Sequence, residues 1–83
     1  MSVERDQVLD MVRSHLSEEL GVPDTEIGDE TRFREDLDAD SLDLYELVME
    51  LEDTYGVKMS EEEAAGILTV GQAVEFVVAR VPA

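Results

Sequence analysis

The chain has no cysteine. That excludes disulfides and any thiolate of its own, and it is compatible with a reducing cytosol. Positive charge is scarce: 6 Lys and Arg stand against 22 Asp and Glu, for a net charge of −16. Nucleic-acid binding needs a basic footprint for the phosphates, which is missing, and an anionic membrane surface repels such a chain. No run approaches the ~18 consecutive apolar residues of a membrane span, and the opening Met-Ser-Val-Glu-Arg-Asp reads as free of an apolar signal region. There is no repeat, low-complexity tract or Pro/Gly-rich linker. Histidine occurs once, as His15, and no Gly-x-Ser-x-Gly elbow is present, so an activated serine nucleophile lacks both its base and its turn.

What is present reads as a folded domain. Hydrophobic residues make up 43% of the chain, ordinary for a globular sequence, so the charge does not imply disorder. Residues 1–83 are expected to form a single domain. A chain of this size hides only about 60–65% of its unfolded surface, which leaves a thin core and little room for a deep enzyme cleft. The acidity favours basic protein surfaces reached by electrostatic steering, or else is a solubilising coat.

Periodicity predicts an all-α fold, a four-helix bundle of three main helices and one short helix with a long first loop. Val8, Leu9, Val12 and Leu16 recur at helical spacing within a helix from Val3 to Leu20, stopped by Gly21 and Val22-Pro23. Residues 21–40 form the loop, in which the widely spaced Val22, Ile27, Phe33 and Leu37 read as anchors on a core. The second helix runs from Ser41 to Tyr55, with Gly56 at its end. Ser60-Glu61-Glu62-Glu63 has the form of a capping box that opens a short helix to about Gly66. A second box, Thr69-Val70-Gly71-Gln72, opens the last helix to about Arg80. Val70, Ala73, Val74, Val77, Val78 and Val81 face inward there; their β-branching suits a strand, but the cap and the 3–4 spacing favour a helix.

The second helix carries two apolar faces. At about 100° per residue from Leu42, the positions Leu44, Leu47, Val48, Leu51 and Tyr55 fall within about 140–240°, a core face. Leu42, Tyr45 and Met49 form a separate stripe, with Glu46 and Asp53 on one edge and Glu52 on the other. An apolar strip in an acidic rim suits docking by an apolar pocket edged with Lys or Arg. The alternative is that the loop 21–40 covers it.

Asp40-Ser41-Leu42-Asp43 opens this helix. Ser41 or Asp40 can serve as its cap. Asp36-x-Asp38-x-Asp40 copies the start of a calcium loop, but Ser41 stands where glycine is needed and Leu47 where a bidentate Glu is needed, so no specific metal site is expected, only diffuse divalent binding. The other role open to Ser41 is as acceptor of a modification. A phosphate ester there sits at a helix N-terminus, whose dipole and free N–H groups favour negative charge.

Asp40-Ser41-Leu42-Asp43, followed by Glu46-Leu47-Val48-Met49 and Leu51-Glu52, resembles the acyl carrier proteins of dissociated (type II) fatty-acid synthesis. The resemblance extends to Phe33-x-x-Asp36-Leu37, Glu61-Glu62-Glu63-Ala64 and Thr69-Val70, nearly the whole chain. It implies that Ser41 receives 4′-phosphopantetheine from coenzyme A. A magnesium-dependent phosphopantetheinyl transferase directs the serine hydroxyl onto the β-phosphorus, with release of adenosine 3′,5′-bisphosphate. The arm's thiol then holds acyl groups as thioesters, so a cysteine-free chain performs thiol chemistry. Two positions depart from the family pattern: Asp38 stands where glycine is frequent, and Tyr45 where an aliphatic residue is common.

The expectation is therefore a carrier, not an enzyme, monomeric and cytoplasmic. It presents growing acyl chains to fatty-acid synthesis enzymes with basic docking surfaces. Asp40, Leu42, Tyr45, Glu46, Met49, Glu52 and Asp53 are the expected recognition residues. The acyl chain is expected to shelter between the second and the short helix, among Leu44, Leu47, Val48, Leu51, Ala64, Ile67 and Val74. A carrier for a polyketide or another specialised acyl pathway is the first alternative, since only local chemistry differs. A non-modified acidic adaptor or weak calcium-binding protein is the second.

Overall fold

The computed structural model describes residues 4–81. Four α-helices follow one another: α1 (Arg5–Leu20), α2 (Ser41–Tyr55), the short α3 (Glu61–Ala65) and α4 (Val70–Arg80), with a 3₁₀ turn at Asp24–Glu26 in the first loop. The expected first residue of α1, Val3, lies outside the described residues.

Local sequence sets most of the boundaries. α1 and α2 end on Gly21 and Gly56, both in the left-handed region at φ 72° and 68°, where a residue without Cβ carries no penalty. α2, α3 and α4 each open with a reciprocal capping box, in which Asp40, Ser60 and Thr69 pair with Asp43, Glu63 and Gln72. Each such cap stabilises its helix by about 1 kcal/mol. The valine-rich α4 is a helix, as its cap and spacing predict.

The core is built chiefly where α1 meets α4. Val8, Val12 and Leu16 of α1 pack with Val70, Ala73, Val74 and Val77 of α4, and α2 adds Leu47 and Leu51. Val78 and Val81 are half-buried at the margin of this core. Each large aliphatic side chain buried there contributes roughly 1.5–3 kcal/mol of transfer free energy.

The long loop lies across the core. Ile27, Phe33, Leu37 and Ala39 are buried, while Val22 packs only partly. The Phe33 N–H donates to the Leu68 carbonyl at 3.1 Å, and the Val70 and Gly71 N–H groups donate to the Thr31 and Asp29 carbonyls at 2.9 Å each. The bridge between Arg32 and Thr69 is the one extended pairing among the described residues. A Cβ on Gly71 would stand 2.8 Å from the Asp29 oxygen, so only glycine lets the loop close on α4. The loop thus delivers Asp40 and Ser41 to the start of α2 from a fixed base.

Candidate functional site

The turn into α2 decides what Ser41 is free to do. Asp38, just after the turn at 33–37, has φ 54°, a left-handed conformation that Asp tolerates better than most residues. Ala39 is then buried, and Asp40 takes the capping position. The Asp43 N–H donates to Asp40 Oδ1 at 3.0 Å, and the Asp40 N–H donates to Asp43 Oδ2 at 3.1 Å. The cap is Asp40, not Ser41. Ser41 is the first helical residue and is exposed. Its Oγ accepts a hydrogen bond from an Arg34 Nη at 3.1 Å. A guanidinium donates and offers no acceptor, so it gives the hydroxyl no base.

A cavity of about 410 Å³ opens beside Ser41, between α2 and α3. Six of the seven expected shelter residues line it: Leu44, Leu47, Val48, Leu51, Ala64 and Ile67. Val74 does not. It is fully buried in the core, and Ala73 supplies the lining from α4 instead. One residue along a helix is a turn of about 100°, enough to move a side chain from one face to another. Phe33, Met59 and Ala65 also line the cavity and were not anticipated. In the sequence Phe33 reads as a loop anchor and as part of the family resemblance, whereas nothing there singles out Met59.

No residue of α3 is fully buried. The helix is held by its own capping box, by an ion pair between Glu63 and Arg80, and by Glu52, whose Oε2 accepts the Met59 N–H at 2.9 Å. The Glu63 carboxyl lies below its usual range because it accepts the Ser60 N–H and, secondly, pairs with Arg80. Glu52 therefore ties α2 to the approach of α3, in addition to standing at the rim.

The second stripe of α2 is uncovered. Leu42, Tyr45 and Met49 are 64%, 61% and 47% exposed, so the loop does not mask them. Asp40 and Asp53 are exposed and Glu46 is half-buried. Glu46 leans toward α1. A hydrogen bond with the Glu19 carboxyl, and repulsion from it, push the Glu46 carboxyl above its usual range. Leu68, 62% exposed, is a further apolar surface residue not singled out by periodicity.

The calcium-like spacing does not gather into a site. Asp36 binds Arg32 through both oxygens, which holds its carboxyl below the usual range, and Asp40 is engaged in the cap. The carboxylates that do converge among the described residues are Glu19, Asp43 and Glu46, with ligand oxygens within 4.8 Å of one another. Asp43 is already committed to the capping box.

An exposed serine hydroxyl released from capping, on a helix N-terminus beside an apolar cavity, is placed to accept a phosphate ester. Comparison with known proteins points the same way. Residues 10–77 match the family model described as the phosphopantetheine attachment site. The acyl carrier protein of Rubrobacter xylanophilus is 46% identical over 76 residues, which span 92% of this chain and 94% of that protein. The solved structure of the acyl carrier protein from Enterococcus faecalis superposes with a TM-score of 0.82 at 36% identity, covering 94% of this chain and 99% of that one. The chain belongs to the acyl carrier protein family, whose members are carriers that hold phosphopantetheine covalently. No helix among the described residues is long and apolar enough to cross a membrane.

Proposed function

We propose that Ser41 is the attachment point of 4′-phosphopantetheine and that the protein presents acyl chains to the enzymes of fatty-acid synthesis. The observation that carries this reading is the division of labour at the start of α2. Asp40 and Asp43 form the cap between them, which leaves the Ser41 hydroxyl free of capping and exposed beside the cavity. When bound, the prosthetic group supplies the thiol that the chain lacks. The chain's own residues do the rest. The Ser41 oxygen accepts the phosphoryl link. Leu44, Leu47, Val48, Leu51, Ala64 and Ile67 offer apolar walls to an acyl chain. The Leu42, Tyr45 and Met49 stripe, with Asp40, Glu46, Glu52 and Asp53 around it, receives partner enzymes with basic docking surfaces, the phosphopantetheinyl transferase among them.

The protein itself is not an enzyme on this reading, because the group bonded to Ser41 is a guanidinium rather than a base. It works as a monomeric single domain of residues 1–83 in the cytoplasm. Incubation with coenzyme A and a phosphopantetheinyl transferase should add one phosphopantetheine to the intact mass, mapping to the peptide that contains Ser41. Ser41→Ala should gain nothing. Labelling that persists in that variant, for instance on Ser60, refutes the assignment.

A further inference from the structure

In a chain with 22 acids and 6 bases, an arginine without an acidic partner is unusual. Among the described residues Arg5, Arg13, Arg32 and Arg80 each pair with a carboxylate, and Arg34 does not. Of the acids close to it in sequence, Glu35 and Asp36 are both bound by Arg32, and Asp40 accepts the Asp43 N–H. Arg34 instead spends one donor on the Ser41 hydroxyl, at 3.1 Å. A guanidinium has five donors in a planar fork matched to phosphate oxygens, and a neutral hydroxyl is a weak use of it.

The base of this side chain is well fixed. The Arg34 carbonyl accepts the Asp38 N–H at 3.1 Å, and the preceding residue, Phe33, is buried with its N–H on Leu68. A phosphodiester built on Ser41 stands at a helix start capped by Asp40 and Asp43, and one cation offsets that repulsion best if it is already in place. Arg34 also lines the cavity beside Ser41, so a phosphate held by it is held at the cavity mouth.

We propose that Arg34 is a phosphate-binding residue of this carrier, whose guanidinium, poised on Ser41 Oγ, grips the non-bridging oxygens of the phosphodiester and fixes the root of the arm at the entrance to the cavity. The proposal rests on Ser41 as the attachment point, and its test separates the two. The full chain is loaded with coenzyme A and a transferase, as wild type, Arg34→Gln and Arg34→Lys, and the site of loading is mapped by mass. In wild type, loading should shift the Arg34 guanidinium resonances and leave those of Arg5, Arg13, Arg32 and Arg80 in place. The phosphorus-31 resonance of the arm should move in Arg34→Gln and return part-way in Arg34→Lys, which keeps the charge but loses the fork. Added salt should shift that resonance in wild type and not in Arg34→Gln. Far-UV dichroism should show all three folded alike, since Arg34 is exposed. If the arm maps to Ser41 and its phosphorus resonance is the same in all three proteins, the role of Arg34 is refuted while the attachment site stands. An arm mapped elsewhere removes both.

Discussion

An eight-carbon acyl group on the loaded protein should enter the cavity and raise the melting temperature. The cavity of about 410 Å³ runs from Ser41 between α2 and α3. At about 30 Å³ per water-sized group it holds on the order of ten of them, enough for six methylenes. Burying six CH₂ groups at about 0.8 kcal/mol each contributes roughly 5 kcal/mol. Freezing their rotations costs about 0.5 kcal/mol per bond by analogy with long side chains, roughly 3 kcal/mol in all. Displacing α3 costs little, because no residue of it is fully buried and the Glu63–Arg80 pair is partly exposed, a class worth about 0–1 kcal/mol. The net gain is about 1–2 kcal/mol, or roughly 4–16 °C for a domain of this size. The assay compares thermal melts of the octanoyl and unacylated loaded forms, with amide chemical shifts recorded on both. Leu51, Ala64 and Ile67 should shift, and Ala64→Trp, which fills the cavity, should abolish the gain while loading at Ser41 continues. An unchanged melting temperature with shifts confined to the neighbours of Ser41 would refute the reasoning and favour a carrier whose chain stays outside.

Three other outcomes are expected. Because Asp40 rather than Ser41 caps α2, Asp40→Ala should lower stability by about 1 kcal/mol and Ser41→Ala by less than about 0.5 kcal/mol in denaturant titrations; equal losses would contradict the assignment of the cap. Asp53→Lys should weaken partner binding mainly through the association rate and less at high salt, whereas Met49→Ala should weaken it at any salt; a partner indifferent to both docks elsewhere. Stability should rise as pH falls from neutrality toward the carboxylate range, because Glu46 beside Glu19 takes up its proton in the folded state before it does in the unfolded chain. Below that range it should fall, since the depressed carboxyls of Asp36 and Glu63 stay ionised when folded after the unfolded chain has protonated them, and the contribution is gone once pH passes below their folded values. A melting temperature that declines steadily from pH 7 would mean that specific ion pairs outweigh repulsion.

Helix positions were legible in the sequence because their causes are local. A cap needs residues three apart, a terminator needs one glycine, and an amphipathic face needs only a period. Ser60 with Glu63, Thr69 with Gln72, and the ends at Gly21 and Gly56 all follow from such short-range rules. The uncovered stripe of Leu42, Tyr45 and Met49 was legible as a second apolar face, but whether the loop masks it depends on where Ile27 and Phe33 insert, which is a matter of packing. The choice between Asp40 and Ser41 as cap was open in the sequence, since both residue types cap well; the backbone decided it, extended at Asp40 and already helical at Ser41.

By itself the sequence determined the all-α class, the order of the helices, the acidic character and the serine at the start of α2. These are properties of composition and of contacts within a few residues. Only the tertiary structure decided that Ala73 and not Val74 faces the cavity, that Phe33 and Met59 line it, that Glu52 holds the approach to α3, and that Arg34 rests on Ser41 without a carboxylate partner among the described residues. Each depends on side chains far apart in the chain arriving at one place, and on which side of a helix turns toward them. Local rules carry no information about that.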